Sequence, residues 1–239
     1  MHRSKTALFL FAHQDDEFGV MYQIEKEVNF GASVFCVFAT TGVVTGADSQ
    51  RRNEESQKVL TALGVSPKQI LFMGEALNIT DGKLATHSLF FSQWLLSWAL
   101  ECTAHTSVYI PAWEGGHTDH DALHSVTIHS ISSNCPKITL WQYPLYNSKG
   151  LKWGFFKVLT PLPENGDVNY ENIPWASRWR YLRLCLSYTS QAKSWLGLFP
   201  FVLWHYLFKG WQSLQLTSHT RIQERPHNGQ LYYEFRNRP

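Results

Sequence analysis

The first chemically notable stretch of this 239-residue chain is "ALFLFAHQDDEFG", residues 7–19. A short apolar run leads directly into His13, Asp15, Asp16 and Glu17. A carboxylate at the end of a buried segment is costly unless a counter-charge pairs with it. Histidine and aspartate together are a common ligand set for a divalent transition metal, and catalytic zinc usually takes three such protein ligands. The stretch therefore suggests a metal ion as the partner of its carboxylates.

A second stretch of the same kind is "WEGGHTDHDALH", residues 113–124. Its Gly-Gly pair allows the backbone to turn sharply before a helix that "DHDALH" is expected to begin. His117 and His120 are three residues apart, so both can point to one side of a first helical turn. Either stretch alone is more typical of a helix cap or an exposed surface than of a functional site. The two together favour a metal-dependent active site.

The segments around these two stretches, which must position them, predict an α/β fold. Short apolar runs typical of buried parallel strands occur at 7–12, 33–40, 69–73, 107–112 and 137–143. The segments between them predict helices in "SQRRNEESQKVLTALG", "FFSQWLLSWALECT" and "DHDALHSVTIHSI". Ligands of open α/β sheets bind beyond the carboxyl ends of the strands. Both polar stretches follow such a strand, so we expect them at one sheet edge.

We therefore predict a Rossmann-like, mostly parallel sheet with helices on both faces. Residues 1–239 are expected to form one domain, with an α/β core at 1–145 and an aromatic-rich C-terminal extension at 146–239 that packs on it. Within the extension, "TPLPENGDVNYENIPW" is predicted to be a loop. The apolar run 195–208 is too short to span a bilayer and predicts a partly buried helix, with contact to a membrane surface or a partner as the alternative.

Composition narrows the classes of partner. The formal net charge is +2, with 21 basic and 19 acidic residues interspersed, so no basic patch predicts nucleic-acid binding. The four cysteines, at 36, 102, 135 and 185, form no CxxC pair, and this usage favours a reducing cytoplasm. The N-terminal apolar run is short and followed by acids, which favours a strand over a secretory signal. No pattern predicts an oligomeric state.

Both polar stretches carry a family resemblance. "AHQDDE" at 12–17 and "HTDH" at 117–120 resemble the AHPDDE and HxDH signatures of the PIG-L/LmbE-type zinc-dependent N-acetylglucosaminyl deacetylases. The likeness continues in "RRNEESQKVLTALGV", "ITDGKL", "YTSQ" and "RPHNGQLYYE". Two departures stand out. Gln14 replaces the usual proline, and "TTGVVTGAD" stands where many members have a more glycine-rich loop, which bears on the choice of substrate.

The resemblance implies a role for each matching residue. The residues expected to hold one zinc, or another divalent metal, are His13, Asp16 and His120. Asp15 would be the general base that takes a proton from the metal-activated water. His117 would stabilise the oxyanion or protonate the leaving amine, and Asp119 would orient or tune a neighbouring histidine. Arg52 is expected to contact substrate or to pair with Glu55.

Other residues near these motifs have open assignments. His124 follows His120 by four residues and is either an alternative ligand or a packed residue. His227, in "RPHNG", is a candidate for the pocket wall. Trp113 is either core packing or an apolar face for a sugar ring.

The predicted activity is zinc-dependent removal of an acetyl group from an N-acetylated amino sugar or its glycoconjugate. The alternatives are a metal-dependent amidase acting on a non-sugar amide, and a non-catalytic metal-containing module that binds a glycan or a partner protein. Asp15 favours an enzyme, because a binding site needs ligands but no free carboxylate beside them.

Overall fold

The computed structural model describes residues 5–102, 105–132, 134–152 and 155–236. The strands are β1 (Thr6–Phe11), β2 (Ser33–Phe38), β3 (Ile70–Phe72), β4 (Thr106–Pro111), β5 (Thr139–Tyr143), β6 (Tyr146–Asn147), β7 (Lys157–Val158), β8 (Val168–Asn172) and β9 (Trp211–Leu216). The helices are α1 (Met21–Asn29), α2 (Gln50–Ala62), α3 (Met73–Ala76), α4 (Ser88–Leu100), α5 (Thr118–Thr127), α6 (Trp175–Cys185), α7 (Ala192–Trp204) and α8 (Tyr232–Arg236). Single π-helical turns at Ile128–Ser132 and His205–Lys209 follow α5 and α7.

Seven of the strands form one sheet in the order β3-β2-β1-β4-β5-β9-β8. The first five are parallel, while β9 runs antiparallel to both β5 and β8. β1 lies in the middle, where Phe9 is opposite Cys36 on one side and Tyr109 on the other. The predicted α/β class with a mostly parallel sheet is confirmed.

Side chains of β1 alternate between two buried apolar clusters, and for this reason its sequence is apolar throughout. Phe9 and Phe11 enter one buried apolar cluster, whereas Leu8 and Leu10 enter a second. Side chains of a strand alternate between its two faces, so the two clusters are the cores above and below the sheet. The first core includes residues from α1, α2, α6 and α7, and the second includes residues from α4 and α5. Helices therefore cover both faces.

The helix predictions hold where an apolar periodicity exists. Val59 and Leu60 in α2 and Leu63, which follows its last residue, are buried as expected, and Gly64 at φ 94° ends this segment. Thr103, the last residue of the predicted helix that became α4, lies outside the described residues. α1, which begins at Met21 just after the first polar stretch, is not among the predicted helices.

The predicted loop at 160–175 is partly wrong, because it contains β8. This strand is "VNYEN", largely exposed and without apolar alternation, so its sequence carries no strand signal. Its backbone is nevertheless paired along its whole length with β9, from Val168 opposite Gln215 to Asn172 opposite Trp211. The pairing partner, and not the local sequence, makes this segment a strand.

The turn before α5 makes a tight backbone contact. A Cβ added to Gly116 would lie against the carbonyl oxygen of Tyr146, well inside van der Waals contact. We expect Gly116→Ala to lower the free energy of unfolding by about 1–3 kcal/mol, because the loop must move. Gly197→Ala is the control, since its Cβ would meet nothing within 4 Å in the interior of α7. That variant should gain up to about 1 kcal/mol of helix propensity. Urea denaturation measures both, and equal stability of the two variants would contradict this assignment.

Candidate active site

The two polar stretches lie side by side at the carboxyl ends of β1 and β4, which are neighbours in the sheet. The ring centroid of His13 lies 4.5 Å from that of His117 and 5.2 Å from that of His120. His117 caps the N-terminus of α5, and His120 lies in its first turn. The fold thus brings together three histidines separated by about a hundred residues of sequence.

A first set of possible metal ligands consists of His13, Asp16 and His120, all buried. Their ligand atoms lie within 4.8 Å of one another. Asp16 Oδ2 accepts a hydrogen bond from the backbone N–H of His13 (2.8 Å), and Asp16 Oδ1 lies 3.0 Å from His120 Nε2. Burial alone would raise the pKa of Asp16, but His120 and His13 hold it well below its usual range. Asp16 is therefore a fixed anion.

A second set shares His13 and adds Asp81, His117 and Asp119. His13 Nε2 lies 3.1 Å from Asp119 Oδ2 and 3.2 Å from Asp81 Oδ1, while His117 Nε2 is 3.7 Å from Asp81 Oδ1. Sequence reasoning assigned no role to Asp81. The only signal was its place in "ITDGKL", one of the stretches that resemble the deacetylase family.

Asp119 is held by backbone groups more than by side chains. Its Oδ2 accepts a hydrogen bond from Gly82 N–H (2.6 Å), and its Oδ1 accepts one from Leu84 N–H (3.1 Å). The histidine that its carboxylate contacts is His13. The backbone N–H of Asp119 donates to His117 Nδ1 (3.1 Å), so a neutral His117 carries its proton on Nε2.

Asp15 is adjacent to Asp16 in sequence but lies in neither ligand set. Its backbone has φ 107°, a left-handed conformation that separates its side chain from that of Asp16. Asp15 Oδ2 accepts a hydrogen bond from the indole N–H of Trp195 (3.1 Å), and Oδ1 lies 3.6 Å from Arg52 Nη2. Burial raises the pKa of Asp15 to about 6, against the opposing charge of Arg52.

Arg52 supports the loop that carries Asp15. Its guanidinium donates to the carbonyl oxygen of Gln14 (2.6 Å) and to that of Gly42. The predicted ion pair of Arg52 with Glu55 is wrong. Glu55 instead pairs with Arg51 (3.4 Å), and it accepts hydrogen bonds from the backbone N–H of Ser190 (2.9 Å) and from its hydroxyl (2.6 Å). Residues 52 and 55 lie less than one turn apart on α2, but one side chain points into the sheet edge and the other toward the turn before α7.

Three further candidates contribute to neither metal-binding set. His124 is buried with Nδ1 2.8 Å from the carbonyl oxygen of Pro111, which makes it a packed residue and not a ligand. Trp113 is half-buried and donates its indole N–H to the carbonyl oxygen of Glu224 (3.0 Å). The rings of Trp113 and His124 are 6.0 Å apart. His227 is buried, with Nδ1 3.0 Å from the carbonyl oxygen of Asn228.

Two buried carboxylates that sequence reasoning did not single out shape the loops around the site. Glu114 accepts hydrogen bonds from the backbone N–H groups of Leu145 (2.6 Å) and Tyr146 (2.9 Å). Asp121 accepts from the backbone of Gly115 (3.2 Å) and from the hydroxyl of Tyr233 in α8 (3.2 Å). Their positions after β4 and within α5 are the only sequence signal for this role.

The residues present fit a divalent metal. Burial would lower the pKa of His13, but hydrogen bonds to Asp119, Asp16 and Asp81 raise it well above its usual range, so this part of the site favours a positive charge. Zinc ligands in a tetrahedral site lie about 3–4 Å apart, and the atoms of the first set need only a small closure to reach that spacing. A buried nitrogen and oxygen donor set of this kind suits zinc.

Comparison with solved structures finds the same fold in several deacetylases. A triple mutant of the deacetylase Orf2 of the teicoplanin biosynthetic pathway aligns with a TM-score of 0.66 at 15% identity, covering 89% of this chain and 98% of that one. The A40926 pseudoaglycone deacetylase Dbv21 gives 0.62 at 19%, covering 89% and 96%. The N,N'-diacetylchitobiose deacetylase from Pyrococcus horikoshii gives 0.64 at 15%, covering 95% and 88%.

Comparison by sequence gives a family. No curated protein matches the chain. Residues 8–131, slightly more than half of the chain, match the family model described as PIG-L, GlcNAc-PI de-N-acetylase. The matched range contains both polar stretches and the strands that position them. The chain therefore belongs to the PIG-L family of de-N-acetylases.

Proposed function

We propose that this protein is a zinc-dependent hydrolase that removes the acetyl group from an N-acetylated amino sugar or its glycoconjugate. The observation that carries the proposal is the arrangement of Asp15 and Asp16. Asp16 lies between two histidines as a ligand would, while its neighbour Asp15 is turned away from both ligand sets and held as a free carboxylate. Family membership and the deacetylase fold of the structural neighbours support the same reaction.

His13, Asp16 and His120 are the residues that we propose hold the zinc. The second set fits less well, because both oxygens of Asp119 already accept backbone N–H groups and His117 Nδ1 caps α5. When bound, zinc would lower the pKa of a water molecule and polarise the amide carbonyl. The predicted roles of the remaining residues are assigned on this basis.

Asp15 is the proposed general base, which accepts the proton of the attacking water at a carboxylate oxygen. Trp195 and Arg52 hold the side chain from two sides, and an oriented base is required for proton transfer in the transition state. Arg52 was also expected to contact substrate. Its hydrogen bonds to two carbonyl groups favour a positioning role instead.

His117 is the proposed donor to the oxyanion. Its proton lies on Nε2, because Nδ1 accepts a hydrogen bond from the backbone, so the ring can donate without first being protonated. The Asp119 carboxylate contacts His13, and the Asp119 backbone N–H donates to the ring of His117, which supports the predicted orienting role. Trp113 keeps its indole half-exposed beside the site loop and stays the proposed apolar face for a sugar ring.

The architecture of the C-terminal residues supports a single domain for residues 1–239. β8 and β9 of that region complete the same sheet that carries the site, and α7 supplies Trp195 to Asp15. The cytoplasmic location predicted from cysteine usage stays a prediction.

Zinc content distinguishes the two ligand sets. We expect about one zinc per chain in the wild type, loss of zinc in Asp16→Asn and in His120→Ala, and retention in Asp81→Asn. Elemental analysis of the purified proteins measures this directly. Asp81→Asn is the matched control, since it removes one carboxylate charge from the other set. Loss of zinc in Asp81→Asn with retention in Asp16→Asn would assign the metal to the second set.

Acetate release tests the role of Asp15. Asp15→Asn should keep zinc and lower the rate of acetate release by about 100- to 10,000-fold, the usual contribution of a general base. Asparagine tolerates the left-handed backbone at this position, so the fold is expected to persist.

The substrates to compare are N-acetylglucosamine, N,N'-diacetylchitobiose and N-acetylglucosaminyl phosphatidylinositol. If Asp15→Asn loses zinc, the proposed division between ligand and base is wrong. Stoichiometric zinc without release from any sugar would favour the non-sugar amidase or the binding module.

Trp195 provides a test of positioning. Trp195→Phe keeps the aromatic packing but removes the hydrogen bond to Asp15. We expect kcat to fall about 10- to 100-fold with KM little changed, because a hydrogen bond to a charged group contributes about 1.5–3 kcal/mol. Trp179→Phe, on the exposed side of α6, is the control and should leave kcat unchanged. An equal effect of both substitutions would mean that the indole of Trp195 does not position the base.

A further inference from the structure

α7 buries one face and exposes another that is also apolar. Trp195 and Val202 are buried in the core. Leu196 is 82% exposed, Trp204 57% and Phe208, in the π-helical turn that follows, 65%. Residues four apart lie on the same side of a helix, so Leu196, Pro200 and Trp204 form one stripe along α7 that continues toward Phe208. We call these four residues the apolar face of α7.

The segment that carries this face has cations and no carboxylate of its own. Between Glu171 and Glu224 the sequence contains no aspartate or glutamate and six cations. Arg178 and Arg221 are buried and Arg180 pairs with Glu25 of α1, which leaves Arg183, Lys193 and Lys209. Lys193 lies at the start of α7 and is exposed, and Lys209 ends the π-helical turn. An apolar stripe with a lysine at each end is complementary to the surface of a lipid bilayer, which has anionic headgroups above an apolar interior. Tryptophan is also enriched where lipid meets water.

The length of α7 determines how it can meet a bilayer. Its 13 residues extend about 20 Å, less than the roughly 30 Å of a hydrocarbon core. Among the described residues, no helix is long and apolar enough to cross a membrane. A short helix that has one buried protein face and one exposed apolar face would lie in the plane of the interface.

A second copy of the chain is a weaker candidate for the same surface. A twofold dimer places each patch against its own copy, so the cations beside the apolar face would meet one another. The segment 172–223 has no acidic residue to pair with them, and the nearby Glu25 and Glu55 are already bonded to Arg180 and Ser190. Anionic lipid headgroups supply that pairing without a specific partner.

We propose that the apolar face of α7 docks this protein onto the surface of a bilayer that contains anionic lipids. The proposal goes beyond the hydrolase activity and does not depend on it. The proposal bears on the site through Trp195, which precedes the exposed Leu196 in α7 and donates its indole N–H to the candidate base Asp15. A protein docked through α7 would hold its site within about one helix diameter, roughly 10 Å, of the interface.

Vesicle sedimentation tests this with the full chain. Phosphatidylcholine vesicles with and without phosphatidylglycerol are compared for the wild type, for Leu196→Ser with Trp204→Ser, and for the control Leu89→Ser with Leu100→Ser. The control residues lie on α4 and are 63% and 66% exposed. We expect binding to require phosphatidylglycerol and to fall at least about tenfold in the α7 variant, since each lost apolar contact contributes more than about 1.4 kcal/mol. The α4 variant should bind as the wild type does.

Two further measurements distinguish insertion of the apolar face into the bilayer from purely electrostatic adsorption of the protein to it. Brominated lipids should quench tryptophan emission in the wild type, and Trp204→Phe should remove part of that quenching. Lys193→Gln should weaken binding about fivefold, the contribution of about 1 kcal/mol per cation at an anionic surface. Circular dichroism and zinc content confirm that each variant is folded.

Three outcomes would overturn the proposal. The first is no binding of the folded wild type to either vesicle. The second is equal loss of binding in the α4 and α7 variants. The third is a concentration-dependent dimer that the α7 substitutions abolish while vesicle binding is absent, which would assign this face to a second copy. None of these outcomes bears on acetate release from soluble sugars, so the hydrolase and the docking face are tested separately.

Discussion

The rest of the structure depends on burying several carboxylates beside His13. Asp16 and Asp119 are almost fully removed from solvent, and Asp81 is partly buried at the same place. Burying charge is costly unless opposite charge and hydrogen bonds replace the lost water. The protein supplies backbone N–H groups from His13, Gly82 and Leu84, and the histidine rings supply the remaining contacts. A divalent cation would neutralise the charge of the carboxylates that these groups leave uncompensated.

This constraint explains the architecture of the loops. The carboxyl ends of β1 and β4 must be neighbours for the two stretches to meet, and the parallel register of these strands makes them so. Asp121 accepts the backbone N–H groups of Glu114 and Gly115 in the sharp turn before α5, which would otherwise be left unpaired. Glu114 in turn accepts the backbone N–H groups of Leu145 and Tyr146, which follow β5. The C-terminal Tyr233 adds a hydrogen bond to Asp121, so the end of the chain closes the same loop.

Neighbouring aspartates can serve different purposes because the backbone separates them. Asp15 has a positive φ and Asp16 begins a 3₁₀ turn, so their side chains diverge immediately. Asp16 contacts the histidines, and Asp15 contacts Trp195 and Arg52. The position of Asp15 therefore depends on α7, a helix near the other end of the chain. The same helix exposes an apolar face to solvent, which links the site to the proposed bilayer surface.

The sequence by itself determined the α/β class, the five parallel strands and the meeting of the two polar stretches. These follow from local patterns, namely apolar runs of strand length and polar residues placed where such runs end. Only the tertiary structure decided the contacts of Asp15 with Trp195, the contact of Asp119 with His13, the inclusion of Asp81 and the pairing that makes a strand of "VNYEN". Each of these contacts joins residues that are far apart in the chain. They depend on the direction of a side chain or on the pairing of two strands, and neither property leaves a periodic signal in the sequence.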